Sequence, residues 1–236
     1  MNVERLSKRL NAVADFIPEG AILADIGSDH AYLPCHVVKA GKVTYAIAGE
    51  VVEGPFQSAK KQVEIEGLSK KVDVRKGNGL QVIEAGEVEC ITIAGMGGAL
   101  IATILEEGKE KLEGVKRLVL QPNISAISIR LWLFENGWSL TNEAILEEDG
   151  KIYEILVAEK GDPKLAYTEN MECELLFGPF LSRQKNEAFI QKWTAEQKNW
   201  ERILEQLSQS RQTQEKREKE MELQKKISMT KEVLDR

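Results

Sequence analysis

Carboxylates, amides and glycines gather where short apolar runs of this sequence stop, which is where a parallel sheet presents side chains to a ligand. The run Ala21–Ile26 carries Asp25 near its end and passes into Gly27, Ser28, Asp29 and His30. Gly27 lets the main chain pass close to a ligand, and the helix expected next offers free N–H groups. The G-x-G-x-x-G string of nicotinamide enzymes is missing, since no glycine follows Gly27 until Gly41. A pyrophosphate would meet the acidic Asp29 at a place where it needs only donors. A cationic or zwitterionic ligand suits this turn better. S-adenosylmethionine is one, because its amino group seeks carboxylates and its sulfonium tolerates them. The plainer alternative is an acidic turn that only caps the following helix.

The next strand end is Ala48-Gly49-Glu50. Glu50 lies about 25 residues past the first turn, near the roughly 20-residue offset at which an acid reaches a ribose in such sheets. Its two oxygens can accept both ribose hydroxyls. Gly77, Asn78 and Gly79 follow, and the Asn78 amide can read an adenine edge with one donor and one acceptor, although Asn-Gly is also a common turn. In Ile93-Ala94-Gly95-Met96-Gly97-Gly98, glycines this dense are unfavourable in backbone entropy and suggest that a ligand comes against main chain. The fifth end, Leu120-Gln121-Pro122-Asn123, stiffens at Pro122 and projects two amides suited to a heterocycle's hydrogen-bonding edge.

Positioning these ends together takes a parallel sheet. Val3, Leu6, Leu10, Val13 and Phe16 recur at helical spacing, predicting a helix over Met1 to Phe16 that stops at Pro18-Glu19-Gly20. Buried strands are expected at Ala21–Ile26, Val43–Ala48, Val72–Arg75, Cys90–Ala94 and Leu118–Gln121. Helices are expected between them at Tyr32–Ala40, Glu53–Ile65, Ala99–Glu107 and Ser125–Glu135. Alternation of this kind implies right-handed crossovers. Asp149-Gly150 between Trp138–Glu147 and Ile152–Ala158 is a hairpin signal, so the sheet should close with an antiparallel pair. A plain dinucleotide fold would continue with a sixth parallel strand; Rossmann-like methyltransferases close with a hairpin.

The 236 residues suffice for one core with a modest appendage. No apolar stretch is long enough to span a membrane, and the first residues lack the apolar segment of a signal peptide, so a cytoplasmic protein without membrane partners is expected. Cys35, Cys90 and Cys173 are far apart, which supports neither a disulfide framework nor a metal site. The net charge of −6 argues against a general nucleic-acid binder, but it is uneven: residues 1–181 carry −9 and residues 182–236 carry +3. The tail has no glycine or proline after Pro179 and is rich in Glu, Lys, Gln and Arg, a composition that favours long helix. Phe189, Trp193, Trp200, Leu204 and Leu207 form an apolar stripe, and the apolar-poor Ser208 to Gln214 should join two antiparallel helices. A dimeric coiled coil is the competing arrangement, disfavoured by tryptophans at core positions and a broken heptad.

The strings D-I-G-S-D-H-A-Y-L-P at 25–34, G-N-G-L at 77–80, I-A-G-M-G-G at 93–98 and L-Q-P-N at 120–123 resemble the bacterial tRNA adenine-N1 methyltransferase family TrmK, which acts on adenine 22. The resemblance covers nearly the whole chain. It implies an α/β fold, with a Rossmann-like class I methyltransferase sheet ending in an antiparallel hairpin over residues 1–164. A C-terminal helical, coiled-coil-like domain that engages tRNA would then occupy residues 165–236, in a chain expected to act as a monomer. Carried over by position, Asp25, Gly27, Ser28 and Asp29 would surround the methionine part of S-adenosylmethionine, Glu50 the ribose, and Asn78 and Gly79 the adenine. Ala94, Gly95, Met96 and Gly97 stand where many amino-methyltransferases carry N/D-P-P-Y/F, so the usual stacking aromatic is missing there and Tyr32 or Met96 must substitute.

The catalytic candidates are Asp29, His30 and Asn123; His36 is read as structural. The target N1 lies on the Watson–Crick edge, so the base must be extruded, which demands purchase on the RNA backbone. Lys8, Arg9, Tyr32, Gln121, Arg130, Lys192, Lys198 and Arg202 are the candidate tRNA contacts, with Arg75 and Lys76 near the cofactor edge and Arg211, Lys216, Arg217 and Lys219 further along the tail. Removing residues 182–236 is expected to spare cofactor binding and abolish tRNA methylation. Two other functions remain open at this point: methylation of another RNA substrate, and a non-catalytic RNA-binding factor on the same fold.

Overall fold

The computed structural model describes residues 2–208 and 213–235. Its centre is a seven-stranded sheet in the order β3-β2-β1-β4-β5-β7-β6. The strands are β1 (Ile22–Ile26), β2 (Tyr45–Glu50), β3 (Val72–Lys76), β4 (Cys90–Gly97), β5 (Arg117–Ile124), β6 (Trp138–Glu148) and β7 (Lys151–Lys160). The first five run parallel, while β7 returns antiparallel to β5 and pairs with β6 through the Asp149-Gly150 turn. The expected hairpin closure is therefore present.

Helices α1 (Lys8–Phe16), α2 (Tyr32–Lys39) and α3 (Glu53–Ile65) cover one face of the sheet, and α4 (Gly98–Glu107) and α5 (Ala126–Glu135) the other. Alternation along the strands feeds both layers. Leu23, Ala46 and Ala48 pack with α1 to α3, whereas Ala24, Ile26 and Ile47 pack with α4 and α5. Burial on both faces is why these strands read as continuous apolar runs.

The first helix is shorter than its periodicity predicts. Ser7 caps it, its hydroxyl accepting from the Leu10 N–H, and Glu148 of β6 accepts from the N–H groups of Lys8 and Arg9. Val3 and Leu6 are nonetheless buried, and the Val3 carbonyl accepts from His36 Nδ1 at 2.7 Å, which gives His36 its structural role. Strand β4 runs three residues past its expected end, pairing irregularly with β5 at Ala94, Met96 and Gly97. Irregular pairing of this sort re-aims backbone beside a site.

After β7 the chain forms α6 (Met171–Phe177), α7 (Leu181–Gln184), α8 (Glu187–Ser208) and α9 (Gln214–Asp235). The last two lie antiparallel, with Lys231 beside Glu201 and Lys226 over the Trp200 ring. The expected joint and Arg211 fall largely outside the described residues. Phe177, Leu181, Phe189, Trp193 and Val233 form a third core against Ile145 and Ile152 of the hairpin, so the tail is packed onto the sheet rather than free-standing. Among the described residues no helix is long and apolar enough to cross a membrane.

A buried ion network ties this junction. Arg130 of α5 is fully buried, where its guanidinium donates to Glu143 and Glu154 of the hairpin and to the carbonyls of Leu175 and Leu176. Lys192 of α8 pairs with the second oxygen of Glu154, and Glu143 accepts from the Phe180 N–H at 3.0 Å. Burial pushes Glu154 up, but Arg130 and Lys192 together outweigh it and hold the carboxyl below the usual range. Two of the expected tRNA contacts need correction here. Arg130 cannot meet a phosphate, because its charge is enclosed by two carboxylates and two carbonyls. Lys192 points inward to Glu154. Replacing Arg130 by Met would leave two buried carboxylates facing each other, with an expected loss of about 3–5 kcal/mol in urea unfolding. A wild-type midpoint in that titration would show that the network does not hold the junction.

Candidate active site

In this sheet the strand order reverses between β1 and β4, and a crevice opens beyond their carboxyl ends. Two cavities lie there. One, of about 240 Å³, is lined by Arg9, Asp25, Ser28, Asp29, His30 and Tyr32 among others. The second, of about 340 Å³, is lined by Glu50, Asn78, Gly79, Met96, Leu100 and Ile104 among others. Gly27, Ala94 and Gly95 border both, so the cavities form one bent trough.

Gly27 sits at φ +74°, and a Cβ there would stand 2.1 Å from the Met96 methyl carbon. The Met96 side chain therefore closes over this glycine, and it is the positive φ, which other residues rarely adopt, that favours glycine at the turn. Asp25 lies just below. Its carboxylate is buried and accepts from the hydroxyls of Ser28 and Thr92, each at 2.6 Å. Burial pushes the Asp25 carboxyl above its ordinary value, and the two hydroxyls oppose that shift. Thr92 was not among the expected site residues; its signal is a lone hydroxyl in the otherwise apolar run Cys90–Ile93.

Glu50 is held by main chain. One of its oxygens accepts from the N–H groups of Val51 and Val52 at 2.9 and 3.1 Å, and the other from Asp29 at 3.2 Å. A carboxylate fixed this way keeps acceptor capacity for a diol in the cavity it lines. Leu100 and Ile104, on the first turns of α4, supply an apolar wall that the sequence reading missed.

Across the trough, β5 grips the Gly95 peptide at both ends. Gln121 Oε1 accepts from the Gly95 N–H at 3.0 Å, and Asn123 Nδ2 donates to the Gly95 carbonyl at 2.7 Å. Gln121 is fully buried, which corrects its expected role as a tRNA contact: its amide shapes the loop and also accepts from Arg9 Nη1. Arg9 extends from α1 into the trough, its guanidinium 5.3 Å from the centre of the Tyr153 ring. His30 and Tyr32 stack with ring centroids 5.2 Å apart and planes 18° from parallel.

The structure thus brings Asp25, Gly27, Ser28, Asp29, Glu50, Asn78, Gly79, Ala94, Gly95 and Met96 into one trough, together with His30, Tyr32 and Arg9. Gly97 stands behind it as the residue that caps α4, and Asn123 acts on the trough through Gly95. Lys8, Lys198 and Arg202 are exposed. Arg75 pairs with Asp73 and Glu87, and Lys76 with Glu53. Among the described residues no cluster of three His, Cys, Asp or Glu side chains could hold a metal ion.

The trough fits S-adenosylmethionine: a carboxylate held by main chain for hydroxyls, a buried acid near the turn for an amino group, and glycines where bulk would block the bend. A sheet of this order with such a trough at its reversal point defines a Rossmann-like class I methyltransferase. A family model described as "TrmK: tRNA (adenine(22)-N(1))-methyltransferase" matches residues 23–232, and the chain belongs to that family. A Bacillus subtilis tRNA (adenine(22)-N(1))-methyltransferase is 54% identical to it, covering 100% of this chain and 99% of its own length. The crystal structure of the B. subtilis M1A22 tRNA methyltransferase TrmK superposes with a TM-score of 0.95 at 53% identity, over 98% of this chain and 99% of the other. A Streptococcus pneumoniae protein solved in complex with S-adenosyl-L-methionine superposes with a TM-score of 0.86 at 48% identity, covering 98% and 100% of the two chains.

Asp25 must be ionised to attract an ammonium group, whereas its raised pKa means that folding favours the protonated form. Its contribution to stability is present below the ordinary aspartate range, about 3.9, and is lost as pH rises through the raised value. Cofactor affinity should move the opposite way, strengthening over that rise. In Asp25→Asn we expect calorimetry to show affinity about tenfold weaker, from loss of one charge-assisted hydrogen bond, with that pH dependence gone. Equal affinity of variant and wild type at neutral pH would remove Asp25 from the cofactor site.

Proposed function

We propose that this chain transfers a methyl group from S-adenosylmethionine to N1 of adenine 22 in tRNA. The observation that carries the reading is the two-part trough, whose cavities meet at Gly27, Ala94 and Gly95: one takes the adenosine part of the donor, the other its amino acid end with the target base beside it. The 54% identity to a relative of that name over the full chain supports the choice of substrate.

When bound, S-adenosylmethionine supplies an electrophilic methyl group on sulfur. Glu50 orients the ribose, Asn78 and Gly79 flank the adenine, and Asp25, Ser28 and Asp29 surround the amino acid end. The target N1 has an in-plane lone pair, so no residue needs to remove a proton to create the nucleophile. Alignment is the main requirement, and effective molarities for well-aligned groups account for much of such rate enhancements. His30 and Tyr32 form a stacked pair in the cavity that takes the amino acid end, which supports Tyr32 as the stacking residue in place of the missing N/D-P-P-Y/F aromatic. Met96, lying over Gly27, is assigned to the cavity that takes the adenosine part. Asn123 positions Gly95 and so sets the wall between the halves. Methylation leaves the adenine cationic, and the exposed Asp29 carboxylate lining that cavity stabilises the charge.

Residues 165–236 form the tRNA-engaging helical part in this reading, with Lys198 and Arg202 exposed one turn apart on α8, and Lys8 at the start of α1. Both halves of the trough come from one chain, which supports action as a monomer, and the tRNA substrate points to the cytoplasm. Deletion of residues 182–236 is a poor test of the tail. It would strip Phe189 and Trp193 from the junction core and take Lys192 from the buried Glu154. Charge reversal leaves the fold in place. Lys198→Glu with Arg202→Glu should raise the KM for tRNA at least tenfold without changing cofactor affinity, and the gap should narrow in high salt. Nucleoside mass spectrometry of tRNA incubated with the wild-type protein tests the activity itself. The expected product is N1-methyladenosine at a single position; methyl transfer to no adenine would overturn the assignment.

Replacing Tyr32 by Ala should reduce turnover by at least tenfold with calorimetric cofactor affinity unchanged, since base–aromatic stacking is worth about 1–3 kcal/mol. Tyr32→Phe should retain most activity. Equal turnover in Tyr32→Ala and wild type would exclude the stacking role.

A further inference from the structure

A third cavity, of about 150 Å³, lies where the start of α5 meets α8, and the reaction described above does not use it. Its walls are Ser125, Ala126 and Ile127 on one side and Lys192, Trp193, Glu196 and Trp200 on the other, with Leu176 and Glu154 also contributing. The α8 residues fall at i, i+1, i+4 and i+8, so they occupy one face of that helix. We propose that this cleft is a second nucleobase subsite, which takes an unpaired base of the tRNA other than the methylated adenine. The inference rests on the tRNA-methylating reading above and deepens it.

Four observations support that occupant. Trp200 is half-buried beside Trp193, their ring centroids 6.2 Å apart, and aromatic faces of this kind hold single-stranded bases. Among the described residues the buried Trp193 indole N–H has no hydrogen-bond partner, although its ring lines the cavity; buried donors are normally paired, and a base offers the acceptor that is missing. Glu196 stands on the same face, in no ion pair among the described residues, an acceptor for adjacent N–H groups such as those of a guanine edge. Glu154, by contrast, is already neutralised by Arg130 and Lys192, so the cleft is not an anion trap for either carboxylate to spoil.

Position completes the argument. Ser125 follows Asn123 by two residues, at most about 7 Å of extended chain, and Asn123 holds the Gly95 carbonyl at the catalytic trough. One wall of the cleft, at Ser125, therefore lies within a nucleotide's length of the residue that holds the trough. Extruding an adenine from a folded RNA leaves its former neighbours and pairing partner unsatisfied. A second pocket that accepts one of them would hold the RNA open while the methyl group is transferred.

The test is methylation kinetics on full-length unmodified tRNA, with the KM for tRNA and for S-adenosylmethionine measured separately. Trp200→Ala should raise the KM for tRNA about tenfold and leave that for the cofactor unchanged, Trp200→Phe should restore most of the loss, and Glu196→Ala should raise the tRNA KM several-fold. A wild-type tRNA KM in Trp200→Ala overturns the proposal. So does a defect that Trp200→Phe fails to rescue, or one that extends to the cofactor KM, because either marks loss of packing rather than of stacking. Glu196→Ala leaves the aromatic packing intact, and a wild-type tRNA KM there overturns the recognition assigned to that carboxylate. If the wild-type protein methylates no tRNA in the same assay, the proposed function itself fails, an outcome distinct from all of these.

Discussion

The left-handed backbone of Gly27, where the sheet reverses order, is the constraint from which the rest of the site follows. Two neighbouring strands whose connections leave in opposite directions must leave a gap above their ends. That gap is useful only if the loops that border it stay low. Gly27 does so by adopting a positive φ, which residues with a side chain rarely take. The loop after β4 is kept in place from the other side, where Gln121 and Asn123 hold the two ends of the Gly95 peptide. Arg9 reaches the same Gln121 oxygen, so α1, β4 and β5 converge on one side-chain amide. The bend between the two cavities is thereby fixed by main-chain geometry, and the side chains need only line it.

Much of this was legible in the sequence, for reasons that can be assigned. Strands buried on both faces show as apolar runs, so β1 to β5 were readable, and the helix over Glu53–Ile65 has the bounds its periodicity predicts. Residues at strand ends were also legible, since topology alone delivers Asp25, Glu50, Asn78 and Gly95 to one edge. Burial of polar groups was not. Arg130 has the residue type of a phosphate contact, but its partners Glu143 and Glu154 lie on two different strands and only folding brings them to it. Gln121 was misread for the same reason: an amide that serves the backbone of the neighbouring strand looks in sequence like an amide that serves a ligand. The first helix was overextended because Val3 and Leu6 continue its spacing while packing as non-helical chain. The cap at Ser7 was the better guide.

The distribution of charge has a structural counterpart. An excess of carboxylates in residues 1–181 suits a site that handles a sulfonium and a cationic product, and it repels RNA elsewhere. The net positive charge of residues 182–236 includes the exposed Lys198 and Arg202. Cysteine chemistry plays no part in this balance. Burial pushes the thiols of Cys35 and Cys90 up to about 12, which keeps both protonated at neutral pH.

The buried network of Arg130, Glu143, Glu154 and Lys192 shows how the basic tail is kept in register with an acidic body. Apolar packing of Phe189 and Trp193 would attach α8 to the hairpin but would tolerate sliding, because such contacts have little directionality. The ion network does not. Arg130 satisfies one carboxylate on each strand of the hairpin and two carbonyls at the end of α6, while Lys192 satisfies the oxygen that remains on Glu154. A shift of α8 by one turn would leave a buried charge without a partner, a penalty of several kcal/mol. Gly178 tightens the same joint, since a Cβ there would lie 2.6 Å from Glu143 and 2.7 Å from Arg130. Because α5 carries Arg130 and begins just past Asn123, the element that fixes the tail also continues from the wall of the catalytic trough. The orientation of the helical tail relative to the trough is therefore set inside the protein, by buried charges.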